Sequence, residues 1–340
     1  MLDSSKRSSL GRAALVVFAA SALATAAVSP VSAQEKASVR LKWVAQAQFA
    51  GIYVAQSKGY YKAEGLDMTI NPGGPNLNAE TLVASGADTF AVGGGTESTL
   101  AARDKKLPIE TLAMLHQRTP YVFVVLADSP IQKFADFKGK KITTFFTGAQ
   151  HTLHALMRRQ GMQPTDATIT AQGVSMTPFI DKQIDVATVT LYNELNVLKA
   201  RGVNVRVFTP DDFGLSMPRD TLITSTKVMS EKPKAVQGFM NATLRGWKYA
   251  INNQAEAVDI VMAAAPGLDK THQTAMLAEV ARLMVADGGT SQGLGALDMG
   301  RLKVAHDILL EAKMISAPVE MSSAFNAKFW QAVPDADKKM

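Results

Sequence analysis

The amino-acid sequence predicts an α/β fold of two lobes with a hinge of two crossings. Three observations lead there. Short apolar runs alternate with helix-period segments, the pattern of a mainly parallel sheet with helices on its faces. The run Thr221-Leu222-Ile223-Thr224, after Met217-Pro218, is apolar enough to return the chain to the first sheet. The chain has 340 residues, enough for two domains at roughly 150 residues each.

The elements follow in order. Val39 to Trp43 alternates as a strand, and Ala50 to Glu64 reads as a helix closed by Gly65. Leu66 to Ile70 is a strand that ends in the turn Asn71 to Pro75. Asn78 caps a helix that stops at Gly86. Asp88 to Val92 is a strand, Gly93-Gly94-Gly95 a tight loop, and Thr96 opens a helix. Ile109 to Leu115 and Tyr121 to Ala127 complete the first set of strands. A second sheet begins after Ser129-Pro130. Lys141 to Phe146, Ala167 to Thr170, Asp185 to Thr190 and Val203 to Phe208 are its strands, with a helix running from Thr147-Gly148 through Arg159. From Lys232 the pattern is almost wholly helical. The crossings fall near 127–130 and 220–224. Residues 34–128 with 222–340 form lobe 1, and 129–221 form lobe 2.

Composition removes whole classes of function. Cysteine is zero, which excludes disulfides, Cys-ligated zinc, iron–sulfur clusters and thiol nucleophiles. The net charge is +6, but the densest basic runs are only pairs such as Lys105-Lys106, so no nucleic-acid footprint is expected. The hydrolase, P-loop and zinc-protease motifs do not occur. His151 and His154 share a helical face without a nearby carboxylate, so no metal site is expected. Lys6, Arg7 and Arg12 precede an uncharged Ala/Ser-rich stretch ending in Val31-Ser32-Ala33. This predicts a signal peptide, residues 1–33, cleaved near Ala33, and a periplasmic protein. The Lys6-Arg7 pair leaves Sec and Tat export both open. No Cys follows the cleavage site, so no lipid anchor is expected.

In such a fold ligands sit beyond the carboxyl ends of strands, and a ligand that touches both lobes favours the closed form. Trp43 follows a strand and opens the polar segment Gln46-Ala47-Gln48. Its indole suits a flat ring, although a core role describes it equally. Tyr192-Asn193-Glu194 follows the strand ending at Thr190. Glu194 reads as a rim acceptor for amino and ring N–H groups, or as an ordinary helix-start carboxylate. The Gly94-Gly95-Thr96 loop offers either backbone N–H groups or a plain turn.

The segments Lys42 to Ala55, Lys58-Gly59-Tyr60-Tyr61 and Glu64 to Asp67 resemble the opening of the thiamine-pyrimidine-precursor synthase and solute-binding superfamily. Val83 to Asp88, Thr99 to Ala102, Phe137 to Lys141 and Tyr192-Asn193-Glu194 continue the resemblance in order. It implies the type-II periplasmic binding protein fold. One branch is extracytoplasmic receptors of ABC importers for thiamine pyrimidine precursors, with riboflavin, sulfonate and nitrate relatives. The other is a synthase that consumes pyridoxal phosphate and its own histidine.

The sequence departs from the synthase pattern. Ser98 stands where the donor histidine is expected, Gly94 where the lysine is, and Leu215 to Asp220 replace a Cys-rich run. The resemblance therefore implies the receptor branch, with no cofactor and no enzymatic activity. An ABC permease and its ATPase are the implied partners. Its aromatic-plus-acid pattern falls on Trp43, Tyr192 and Glu194. Gln48, Asn193 and the Gly94-Gly95-Thr96 loop add polar contacts. Phe146, Thr147 and Gly148 contribute from the other lobe. The expected guest is a flat N-heterocycle such as an aminopyrimidine thiamine precursor, with riboflavin as alternative. Lys42, where the family often has Asn, keeps a sulfonate or nitrate ligand open.

Overall fold

Two five-stranded sheets organise the chain. The computed structural model describes residues 34–75, 77–146 and 148–340. The expected signal peptide at 1–33 and the expected ligand contact Thr147 lie outside the described residues. In chain order the strands are β1 Glu35–Arg40, β2 Leu66–Asn71, β3 Phe90–Gly95, β4 Ile109–His116, β5 Tyr121–Leu126, β6 Lys141–Thr144, β7 Thr168–Ala171, β8 Val186–Thr190, β9 Val205–Phe208 and β10 Arg219–Ser225. The first sheet has the order β2-β1-β3-β10-β4 and the second β7-β6-β8-β5-β9. β1, β2 and β3 are mutually parallel, whereas β10 is antiparallel to both β3 and β4. β6, β7 and β8 are parallel, and β5 is antiparallel to β8 and β9. Each sheet is therefore mixed rather than mainly parallel. This is the type-II periplasmic binding protein fold.

The strand Tyr121–Leu126, expected in the first sheet, is a central strand of the second. Its alternate residues Val122 and Val124 pack with Val189 and Leu198, while Phe123 and Val125 pack with Ile142 and Leu156. Both faces are covered, so the strand reads as a continuous apolar run that carries no clue to its sheet. The crossings consequently lie at 117–120 and 214–218, and not at 127–130 and 220–224, since residues 220–224 are part of β10. β3 extends through all three glycines, so Gly93-Gly94-Gly95 is strand rather than loop. β10 lies across it, and a Cβ on Gly93 would come within 2.6 Å of Thr221 Oγ1.

Helices α1 Ala50–Ser57 and α2 Tyr60–Ala63 replace the single helix expected there. The break is at Gly59, whose φ of +71° belongs to the left-handed region. α3 Ala79–Ala84 is capped by Asn78, which accepts from Thr81 N at 2.8 Å. α4 Thr96–Asp104 follows β3, and α5 Ala149–Arg159 follows β6. α6 Thr177–Ile180 and α7 Glu194–Ala200 flank β8, and α8 Thr226–Glu231 follows β10. α9 Pro233–Asn252, α10 Gln254–Ala264 and α11 Lys270–Val285 then cover the first sheet. Phe90, Phe239 and Tyr61 stack in its core, with ring centroids 4.0 and 6.1 Å apart. α1 crosses α9 closely enough that a Cβ on Gly51 would lie 2.3 Å from the Trp247 ring. No helix among the described residues is long and apolar enough to cross a membrane.

Candidate functional site

The two sheets bring particular strand ends together. β1, β6 and β8 point their carboxyl ends at one cleft, and the antiparallel β5 and β10 present their amino ends there. Lys42 and Trp43 arrive from β1, Phe145 from β6, Thr190 to Glu194 from β8, Tyr121 from β5 and Asp220 from β10. The cleft encloses about 300 Å³ counted out to its mouth. Gln46 and Gln48 complete its lining. Of the residues expected from sequence, Trp43, Gln48, Tyr192, Asn193 and Glu194 thus meet in one place.

The aromatic wall is wider than expected. Trp43 packs edge-on against Phe145 with centroids 5.5 Å apart, and Tyr121 lies at 5.9 Å from the same ring. Tyr192 packs against the His116 ring at 5.6 Å. The indole and the phenol therefore line one cleft but each leans on another ring. Burial pushes the Tyr121 and Tyr192 hydroxyls well above their usual pKa, so both are neutral.

Glu194 begins α7 and is buried at 3% exposure. Its Oε2 accepts from Thr190 N at 2.9 Å and from Thr190 Oγ1 at 2.6 Å. Its Oε1 accepts from Asn193 Nδ2 at 2.7 Å. A carboxylate has about four acceptor positions, so these bonds fix its orientation and leave room for about one further donor.

Lys42 forms an ion pair with Asp220, both buried. Gln48 donates from Nε2 to the other Asp220 oxygen at 2.7 Å, and Gln46 donates to Gln48 Oε1 at 2.8 Å. Burial lowers the Lys42 pKa, opposed by Asp220. Burial alone would raise the Asp220 carboxyl, but His116, Lys42 and Gln48 hold it below its usual value. His116 Nδ1 lies 3.6 Å from Asp220, yet burial pushes the imidazole down to about 4, so this contact is between a neutral ring and a carboxylate. Asp220 itself has φ +53°, a left-handed conformation that costs a non-glycine residue about 1–2 kcal/mol. Its neighbour Arg219 is also fully buried, paired with Glu97 and placed 4.1 Å over the Tyr121 ring. Burial brings that guanidinium down to about 9.

Other expected contacts lie elsewhere. Gly94 N donates to Glu80 Oε1 at 2.8 Å, and Thr96 N and Oγ1 both donate to Pro218 O, at 3.1 and 2.8 Å. Gly95 is paired with Arg219 across the sheet. Those amides are spent on the fold, so the loop does not offer the expected open donors. Phe146 is 48% exposed and lines, with Gly148, Ser98 and His151, a separate polar hollow of about 580 Å³. Phe145 holds the cleft position instead. No group of three metal-ligating side chains occurs among the described residues.

Sequence reasoning missed Tyr121, Phe145, Thr190 and Asp220, and it noted Gln46 only as part of the polar segment after Trp43. One signal was available for Asp220: a charged pair, Arg219-Asp220, directly before an apolar returning strand is costly to bury without partners.

Comparison with known proteins places these features in a family. A riboflavin-binding protein, RibY, of Chloroflexus aurantiacus is 28% identical over 304 residues, 87% of this chain and 86% of that protein. A 4-amino-5-hydroxymethyl-2-methylpyrimidine phosphate synthase of Legionella pneumophila is 25% identical, covering 70% of this chain and 76% of the relative. A formylaminopyrimidine-binding protein of Halalkalibacterium halodurans is 28% identical, covering 73% and 76%. The alkanesulfonate-binding protein SsuA of Xanthomonas axonopodis superposes with a TM-score of 0.64 at 14% identity, covering 86% of this chain and 99% of that one, which is a likeness of fold. The NMT1/THI5-like family model matches residues 46–257, more than half of the chain and most of the cleft, and this chain belongs to that family.

Proposed function

We propose that this chain is an extracytoplasmic solute-binding receptor of an ABC importer that captures a flat N-heterocycle. The observation that carries the reading is the convergence of four rings, Trp43, Tyr121, Phe145 and Tyr192, around the fixed carboxylate of Glu194. Rings offer planar contact and a carboxylate reads N–H donors on a ring edge. Binding-protein relatives for riboflavin and a formylaminopyrimidine support this class of guest. Residues Trp43, Gln48, Tyr192, Asn193 and Glu194 are the proposed contacts, joined by Phe145 and Tyr121. The two sheets act as two lobes, hinged at 117–120 and 214–218, with the permease and ATPase as partners on the membrane side. Export through a signal peptide cleaved near Ala33 belongs to the same proposal.

An aminopyrimidine thiamine precursor remains the expected ligand. Riboflavin is the second reading, favoured by a relative that covers 87% of this chain. A sulfonate or nitrate ligand is disfavoured, because the Lys42 charge is already taken by Asp220. A synthase reading lacks its residues. Gly94 has no amine, Ser98 no imidazole, and the segment Leu215 to Asp220 no thiol. Mass spectrometry of small molecules that co-purify with the protein, followed by calorimetric titration of riboflavin and formylaminopyrimidine, tests the proposal. One of the two binding at micromolar or lower concentration supports it. A pyrimidine product formed on incubation with pyridoxal phosphate and iron overturns it.

A further inference from the structure

The first turn of α11 holds both walls of the cleft from behind. Gln273, 2% exposed, accepts from Ala47 N at 2.7 Å, on the wall that carries Gln46 and Gln48. The adjacent His272 reaches the other wall, with Nε2 2.9 Å from Asn193 Oδ1. Further along, α11 buries Met276, Leu277 and Val280 in the core of the first sheet. Asn193, by contrast, sits on the β8–α7 connection of the second sheet. One helix turn therefore bridges the two sheets.

The bonding pattern has a direction. Asn193 Nδ2 donates to Glu194 Oε1, so the amide oxygen faces His272. An amide oxygen only accepts, so the imidazole carries its proton on Nε2. The chain runs His272 N–H to Asn193 C=O, then Asn193 N–H to Glu194. Burial lowers the His272 pKa against the pull of Asp269 and Glu194, which keeps the ring neutral at pH 7.

We propose that His272 is a positioning residue for ligand capture: it links α11 to Asn193 when the walls meet and so holds Glu194 in its receiving orientation. The proposal rests on the receptor reading above. Opening the cleft breaks the His272–Asn193 bond, so the relay favours the closed form and slows release of the guest.

Three measurements test it. First, nitrogen-15 NMR at pH 7 reports the His272 tautomer in the protein saturated with whichever probe binds. The Nε2–H form is expected, and an Nδ1–H ring in the saturated protein overturns the relay. Second, riboflavin and formylaminopyrimidine are each titrated into wild type, His272→Ala and His272→Gln. The Ala variant weakens whichever probe binds by roughly tenfold, chiefly through faster dissociation. The Gln variant, whose amide N–H reaches the same acceptor, recovers most of that loss. Third, His272→Ala adds little to the loss already caused by Asn193→Ala. Unchanged affinity in His272→Ala, or full additivity with Asn193→Ala, reduces His272 to a packing residue. A wild type that binds neither probe counts against the receptor reading, and the same double-mutant cycle read by urea unfolding then judges the His272–Asn193 bond, with full additivity overturning it.

Discussion

At the scale of single residues, the cleft joins one costly arrangement to one permissive one. The costly part is Lys42 with Asp220, two buried charges of which one sits on a left-handed backbone. Such a pair is a poor source of stability, but removing one partner strands the other. Asp220→Asn tolerates the same backbone and leaves Lys42 without its counter-charge. Urea unfolding at pH 7 should show a loss of about 3 kcal/mol. A loss under about 1 kcal/mol would mean that Lys42 turns to water instead. The permissive part is the aromatic wall. Trp43→Ala removes a ring face and should weaken ligand binding by about 1–3 kcal/mol, read by calorimetry, and because the indole is also buried against Phe145 it should cost about 3 kcal/mol in stability. Glu194→Ala behaves differently, because Thr190 N–H, Thr190 O–H and Asn193 N–H all lose their acceptor. It should cost about 1–3 kcal/mol in binding and a comparable amount in stability. An affinity equal to wild type would remove Glu194 from the site.

At the scale of elements, the close crossing of α1 and α9 makes its own demand. Gly51→Ala drives a methyl into Trp247 and should destabilise the fold by about 1–3 kcal/mol, while Gly59→Ala acts only through its left-handed φ. Equal melting temperatures for wild type and Gly51→Ala would show that the helices shift apart freely. Elements were largely legible in the sequence, since alternation and caps are local signals. Asn78 caps α3, and the helices from Pro233 onward lie close to where periodicity puts them. What was not legible is pairing. β5 could not be assigned to the second sheet because a strand covered on both faces has no polar side to orient it. The glycine run could not be told from a loop because its conformation is set by the close approach of β10. Within the site, Trp43 and Tyr192-Asn193-Glu194 follow strands and were found from that position. Tyr121 and Asp220 come from amino ends of antiparallel strands, where no ligand rule directs attention. Phe145 and Phe146 were separable only by which face of the β6 extension turns inward.

At the scale of the whole molecule, two histidines, His116 buried and His151 half-buried, tie stability to pH. Burial holds His116 and His151 at about 4, against an ordinary value of 6.5. The unfolded chain takes up protons near 6.5 that the folded chain refuses until about 4. Stability is therefore full above pH 6.5 and falls as the pH drops toward 4, by up to about 3 kcal/mol for each ring. Denaturant midpoints measured between pH 7 and pH 5 should decline, and a flat profile would mean that the rings reach solvent.

The same enclosure bears on function. Trp43, Tyr121, Tyr192 and Glu194 are each under a tenth exposed, so a guest reaches them only when the two sheets part. The central claim is a planar guest held among these rings with its edge at Glu194. Crystallography of the protein bound to riboflavin or formylaminopyrimidine tests it most directly. The account predicts ring density in contact with Trp43 and Tyr192 and a ring N–H within hydrogen-bond distance of Glu194. Density confined to the hollow beside Ser98 and His151, with the aromatic cleft unchanged, would contradict it.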